Sequence, residues 1–116
     1  MEDNANLLSL LEGFTLTNAD DIGKGIADDF RKRRIERGMT RELMSEQSGV
    51  ALANIVRFEQ KGLISLVNLI NLAMALGYTS EIRNIFSQPK YSTMEELTQI
   101  RKNTGKKRAY NPKKQS

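Results

Sequence analysis

Apolar residues recur at helical spacing along nearly the whole chain, and no alternating apolar and polar run is long enough to predict a sheet. Ile22, Ile26 and Phe30 are spaced by four residues, so they predict the apolar stripe of a first long helix. Gly38 is well suited to end that helix, because glycine adopts the left-handed conformation at little cost. The pattern therefore predicts an all-α fold.

Cap residues predict where the second and third helices begin and end. Thr40 is a good N-cap for the second helix, on which we expect Leu43 and Met44 to face inward. Gly49 ends this helix, and we expect it to have a positive φ. The third helix then covers residues 51–60.

The fourth helix, LVNLINLAMAL, follows a cap at Ser65 and ends at Gly77. Most of its circumference is apolar, so we expect most of it to be buried, either as the central core helix or as a core helix that also contacts another subunit. Ser80 is expected to cap a short fifth helix, EIRNIF, and Pro89 marks the end of the compact part.

The two ends of the chain carry weaker helical patterns. The leucines of ANLLSLLEGF predict a short N-terminal helix, which would either pack on its own domain or bind a partner. Ser92-x-x-Glu95 has the form of a capping box and predicts a C-terminal helix from residue 93 to about residue 102. The predicted domains are an N-terminal extension (1–19), a central domain (20–88) and a C-terminal extension (89–116).

Two parts of the C-terminal extension each leave several alternatives open. Its stripe of Met94, Leu97 and Ile100 would pack on its own domain, on a second subunit or on another protein. The basic residues of the final NTGKKRAYNPKKQS would follow a DNA backbone or lie in a minor groove, or they would form a solvated tail.

The composition excludes several classes of chemistry. The chain has no cysteine and no histidine, which removes thiol nucleophiles, imidazole bases, disulfides and the common zinc sites. No acids are paired for catalysis, and the GKG at 23–25 lies in a helical pattern rather than in a phosphate-binding loop. We therefore predict a protein that is not an enzyme and that needs no cofactor.

Membrane and export signals are also missing from the sequence. No apolar run approaches the ~20 residues that a membrane span needs. The acidic start, MEDN, lacks the basic flank of a signal peptide. We expect a soluble cytoplasmic protein without a membrane partner.

The net charge of +4 is distributed unevenly. Residues 1–22 contain five acids and no base, whereas residues 101–116 contain seven bases and no acid. A basic end on a small soluble domain favours nucleic acid as a partner, although a basic tail can also serve solubility alone. The RKRR cluster at 31–34 is expected to form a solvated face, with a phosphate contact as the alternative.

The stretch MSEQSGVALANIVRFEQ places two short helices around a glycine, which is the helix-turn-helix arrangement. In that arrangement the second helix enters the DNA major groove. Gly49 supplies the positive φ of the turn, and Ser45 supplies a small residue at the helix crossing. Met44, Ile55 and Phe58 are expected to be inward anchors. The alternative is a helical bundle that merely packs.

A longer run, RKRRIERGMTRELMSEQSGVALANIVRFEQKGLISLVNLINLAMALGY, resembles the XRE/Cro-type helix-turn-helix family. The matching marks are RGMT before the second helix, SGV at the turn, IVRFE in the recognition helix and ISLVNLINLAMALG after it. The resemblance covers roughly residues 22–86. It implies a five-helix, lambda-repressor-like domain with short helical extensions at both ends.

The resemblance also implies which residues contact DNA. Arg41 stands where the family usually has glutamine, and it would contact a backbone phosphate. Alanine and leucine fill positions 51–53, where many members have polar residues, so these side chains can only touch thymine methyl groups. The implied DNA-binding residues are Arg41, Ala51, Leu52, Ala53, Asn54, Val56, Arg57, Gln60 and Lys61.

Two of these residues are the implied polar readers of bases. Arg57 would bind guanine, and Asn54 would bind adenine. The alternative for Arg57 is a salt bridge or a phosphate contact, and the alternative for Asn54 is a hydrogen bond to the backbone near the helix start. Because the polar set is sparse, specificity would also depend on dimer spacing and DNA shape.

A narrower resemblance is to the HipB-type subgroup, carried by GVALANIVRFEQKGLISLVNLINLAMALG, a short helix with Phe86, a proline and a KKRA tail. Those proteins act as antitoxins and operon repressors beside a HipA-type serine/threonine kinase toxin. The resemblance implies a bacterial homodimer that binds a palindromic operator of double-stranded DNA, is nucleoid-associated when bound, and also binds the kinase. The alternatives are a stand-alone transcriptional regulator and a protein-interaction module.

Overall fold

The computed structural model describes residues 18–106, which form helices and no strand. The helices of this part of the chain are α1 (Ala19–Glu36), α2 (Arg41–Ser48), α3 (Leu52–Lys61), α4 (Leu66–Ala75), α5 (Thr79–Arg83) and α6 (Met94–Asn103). The all-α prediction is confirmed for these residues. The leucine-rich N-terminal segment and the basic residues beyond Lys106 lie outside them.

The chain divides into two compact units between Ile82 and Arg83. None of the helices in residues 18–106 combines the length and the apolar character that crossing a bilayer requires.

Short polar side chains cap three helices of the first unit, α1, α2 and α4, and the caps of α2 and α4 are the predicted ones. The Asn18 side chain accepts a hydrogen bond from the N–H of Asp21 at 2.9 Å and caps α1. The Thr40 hydroxyl caps α2 through the N–H of Leu43 at 3.0 Å. The Ser65 hydroxyl caps α4 in the same way. These bonds satisfy backbone donors that the helices themselves leave unpaired.

Two predicted starts are wrong. Helix α5 begins at Thr79 and ends at Arg83, so Ser80 lies inside it and half of the EIRNIF segment lies outside it. Helix α6 is capped by Thr93, whose side chain accepts from the N–H of Glu96, and not by the predicted Ser92. Overlapping capping-box patterns begin at positions 92 and 93, and sequence spacing alone does not choose between them.

The core of the first unit collects apolar side chains from α1 to α4 and from the connections between them. Phe30 of α1 and Phe58 of α3 pack with ring centroids 5.5 Å apart. The predicted anchors Met44, Ile55 and Phe58 are buried. The buried core residues are Ala27, Phe30, Met39, Met44, Val50, Ile55, Phe58, Leu72 and Leu76.

The stripe predicted for α1 is wrong in register. Ile22 and Ile26 are 52% and 44% exposed, and the face of α1 that is buried runs through Ala27, Phe30 and Arg34. Leu43 on α2 is also exposed, although its neighbour Met44 is buried. Spacing identifies a helical period, but it does not say which apolar residues at the margin of a face meet a neighbouring helix.

The start of α1 approaches the end of α3 backbone to backbone. A Cβ atom added to Gly23 would lie 2.8 Å from the carbonyl oxygen of Gly62. A Cβ atom on Gly62, whose φ is +70°, would lie 2.6 Å from the backbone nitrogen of Lys24. By contrast, a Cβ atom on Gly25 would meet nothing within 4 Å. The pair Gly23 and Gly62 therefore allows a contact that larger residues would block.

Helix α4 is apolar on two sides but buried on only one. Leu72 and Leu76 reach the core, whereas Leu66, Val67 and Met74 are each more than half exposed. The expectation that most of its circumference is buried is wrong for the single chain. A domain of this size has too few elements to cover both sides of one helix.

The second unit contains α6. Acidic residues occupy its first turn and basic residues its last, which suits the helix dipole. Of its predicted stripe, Met94 is exposed, while Leu97 and Ile100 are partly buried.

Candidate nucleic-acid interface

A tight turn with satisfied hydrogen bonds joins α2 to α3. Gly49 has a φ of 76°, and its N–H donates to the Ser45 carbonyl at 2.9 Å. Val50 is buried, yet both of its backbone polar groups are bonded. The Ser45 hydroxyl donates to the Val50 carbonyl at 2.6 Å, and the Ser48 hydroxyl accepts from the Val50 N–H at 3.1 Å. Ser45, predicted for its small size, thus also holds the turn in place.

Helix α3 has a buried side and an exposed side. Ile55 and Phe58 are 0% and 1% exposed and fix the helix to the core. Eight of the nine residues predicted to contact DNA lie on the remaining surface of α3 or at its start, and the ninth, Arg41, lies on α2. Seven of them are exposed, namely Ala51, Leu52, Ala53, Asn54, Arg57, Gln60 and Lys61, while Val56 and Arg41 are partly buried.

A shallow depression occupies the exposed side of α3. It brings together six of the predicted residues: Leu52, Ala53, Val56, Arg57, Gln60 and Lys61. Its apolar part comes from the first three of these, and the last three supply two cations and an amide. Ala51, Asn54 and Arg41 do not line it.

The acidic residue of α3, Glu59, faces inward. Its side chain is 1% exposed, and Arg34 donates to both of its oxygens, with Nε to Oε2 and Nη2 to Oε1 each at 2.9 Å. Arg41 adds a bond from its Nε to Oε1 at 3.1 Å. Arg31 approaches the same oxygen at 4.0 Å. One buried carboxylate therefore gathers arginines from α1 and α2.

The expectation that residues 31–34 form a solvated face is wrong for Arg34, although Arg31 and Lys32 are exposed as expected. Arg34 is only 7% exposed, and its Nη1 also donates to the Met39 carbonyl at 2.8 Å. It is buried because it continues the inner face of α1, one turn beyond Phe30. Neither Arg34 nor Glu59 was predicted to face inward, although each lies one helical turn after a buried core residue.

The surroundings of α3 are cationic as a result. Three arginines share the single negative charge of Glu59, and two of them, Arg31 and Arg41, keep partly exposed side chains. Among the ion pairs formed within residues 18–106, none involves Arg57. The exposed side of α3 thus combines apolar and cationic groups without an acid.

The same part of the chain offers no cluster of three or more acidic side chains that could hold a metal ion. Comparison of the chain with protein-family models, with curated proteins and with solved structures gave no match. The XRE/Cro-type resemblance accordingly stays a prediction.

Proposed function

We propose that this chain binds double-stranded DNA sequence-specifically, with α2 and α3 as a helix-turn-helix of the XRE/Cro type, and that it represses transcription. The observation that carries the proposal is the separation of charge on α3. Glu59 is paired inward with Arg34 and Arg41, while Arg57, Gln60 and Lys61 are directed to solvent. A surface of this kind suits the phosphate-lined major groove.

Residues of both helices of the motif have a role in this proposal. Arg41 contacts a backbone phosphate from the first turn of α2, and its bond to Glu59 fixes the orientation of the guanidinium. Arg57 reads a guanine, since arginine matches the O6 and N7 acceptors of that base. Asn54 is the second polar reader, at the start of α3.

The exposed side of α4 is the surface that we propose for a homodimer. Leu66, Val67 and Met74 are each more than half exposed there. Apolar side chains grouped on one helix are typical of a subunit contact. A two-fold dimer would place two copies of α3 about 34 Å apart, which is one turn of DNA.

The decisive experiment compares Arg57→Ala with the unaltered chain on duplexes selected from a random-sequence library. We expect a loss of about 1–3 kcal/mol on the selected site and relaxed preference at one base position. Lys32→Ala is the charge-matched control, because it removes an exposed cation from α1. The control should weaken all duplexes alike and relax no position. Equal affinity of the Arg57→Ala variant and the parent chain would refute the assignment.

The HipB-type resemblance extends the proposal to an antitoxin that represses its own operon beside a HipA-type kinase. Its support is the sequence pattern. The test is co-expression with the product of the adjacent gene, followed by purification of the complex and a footprint on the shared promoter. A neighbouring gene that encodes no kinase would favour the stand-alone regulator.

A further inference from the structure

We infer that the DNA sites of this chain are distinguished by thymine methyl groups that pack into the apolar part of the α3 depression. This inference rests on the proposed function and specifies which duplexes it selects. Leu52, Ala53 and Val56 form the apolar part of the depression, and their side chains can neither donate nor accept a hydrogen bond.

The chemistry of the major groove leaves one match for such a surface. Every base pair presents donors and acceptors there, but thymine alone among the four common bases adds an apolar group, its C5 methyl. Leu52 is 39% exposed and Val56 is partly buried, so both have apolar surface left to cover. A methyl group seated between them would be removed from water.

Charge decides between DNA and an apolar protein as the occupant. Arg57 and Lys61 line the same depression as the apolar residues. The acid of the helix, Glu59, is turned away into the core. An apolar protein surface would gain nothing from that arrangement, whereas a polyanion is attracted to it and brings the methyl groups into contact.

Methyl recognition predicts a ranking of bases by affinity that differs from the ranking expected for other kinds of readout. At a base pair that faces the depression, thymine and 5-methylcytosine should bind equally well, because both carry the methyl group. Uracil and cytosine should bind more weakly, because both lack it. Readout through hydrogen bonds or through DNA shape would instead group thymine with uracil, since those two form the same kind of pair with adenine.

The experiment begins with a duplex library whose random centre is about 30 base pairs long, enough for two half-sites one turn apart. An enriched duplex is then resynthesised with each thymine replaced in turn by uracil, cytosine or 5-methylcytosine, with the matching partner base. We expect a fall in affinity of about fourfold for each methyl group removed from a facing position. Replacement by 5-methylcytosine should leave the affinity unchanged.

Variants of the chain locate the effect. The double variant L52A/V56A should bring the ratio of thymine to uracil affinities close to one. Arg57→Ala should weaken binding to the enriched duplex but keep that ratio at the facing thymines, because it leaves the apolar part of the depression intact. Circular dichroism would verify that each variant stays helical.

The possible outcomes distinguish failure of the inference from failure of the proposed function. Equal binding of thymine and uracil duplexes at every position would overturn the inference and leave the proposed function standing. Thymine and uracil binding together above cytosine and 5-methylcytosine would also overturn it, in favour of base-pair or shape readout. Failure of the library to yield any enriched duplex would refute the proposed function itself, and the inference with it.

Discussion

Helices α3 and α4 are each 10 residues long, and both leave apolar side chains partly or largely in solvent. Their surroundings differ. Helix α3 places Arg57 and Lys61 beside its exposed apolar residues and turns Glu59 inward. Helix α4 has no charged residue at all. Both helices expose apolar side chains, but only α3 has charged residues beside them.

This difference indicates what each surface is suited to meet. Apolar groups bordered by cations suit a polyanion that also carries apolar groups, as the major groove of DNA does. Apolar groups without charge suit another apolar surface, such as a second copy of the chain. Under the proposed function, the two exposed apolar faces therefore suit two different partners, and each can be tested separately.

The largest expected effect is on stability and comes from Glu59, the buried acid whose inward position leaves the exposed side of α3 without a negative charge. Glu59→Gln leaves Arg34 buried without its counter-charge, so we expect the free energy of unfolding to fall by about 3 kcal/mol or more. Urea denaturation followed by circular dichroism measures the change. The control Arg31→Gln alters an exposed arginine 4.0 Å from the same oxygen and should cost less than about 1 kcal/mol. Equal effects of the two variants would contradict the account of the cluster.

A pair of matched substitutions tests whether the two apolar faces have separate partners. Val67→Glu on α4 should weaken self-association by about tenfold or more, because burying a valine contributes about 1.5–3 kcal/mol. Sedimentation equilibrium measures that change. Val56→Glu on α3 should leave self-association unaltered and remove DNA binding, which a gel-shift titration measures. If Val56→Glu also weakened self-association, the proposed division of roles between α3 and α4 would be wrong.

Alanine substitutions at the two glycines of α1 test whether its backbone lies against the end of α3. Gly23→Ala would bring a Cβ atom within 2.8 Å of the Gly62 carbonyl oxygen, and we expect a loss of about 1–3 kcal/mol in stability. Gly25→Ala meets nothing and should raise stability by about 0.5–1 kcal/mol, because alanine is the better helix former. Thermal unfolding of the two variants gives both values. Opposite signs support the close approach of the backbones, and two stabilised variants would exclude it.

The smallest effect concerns a single cation at the edge of the depression. Lys61→Ala should weaken binding to all duplexes and reduce the slope of log affinity against log salt by about one. Fluorescence anisotropy at several salt concentrations measures the slope. An unchanged slope would mean that Lys61 does not lie against a phosphate.

Features that depend on neighbouring residues in the chain were predictable from the sequence. Thr40 and Ser65 cap α2 and α4 through bonds to backbone groups three residues away. Gly49 and Gly62 end α2 and α3 in the left-handed conformation. A cap or a terminal glycine needs only the local chain to satisfy its geometry, so the sequence narrows its position to one or two residues, as the shifted starts of α5 and α6 show.

Features that depend on contacts between helices were not predictable in the same way. Ile22 and Ile26 have the spacing of an inner stripe, but both are exposed, and it is Gly23 between them that lies against the end of α3. The pairing of Arg34 with Glu59 joins residues far apart in the sequence. An arginine one turn after a phenylalanine on the inner face of a helix predicts a buried ion pair, but only if the sequence is also searched for an acid that could be its partner.

The division of α3 into inner and outer residues has a consequence for how such a protein changes over time. Ile55, Phe58 and Glu59 secure the helix, while Leu52, Ala53 and Arg57 are exposed and take no part in the buried core. Under the proposed function, a substitution at an outer position alters which genes are regulated and leaves the melting temperature nearly unchanged. A lineage of these proteins can therefore acquire new targets one residue at a time, without passing through an unstable ancestor.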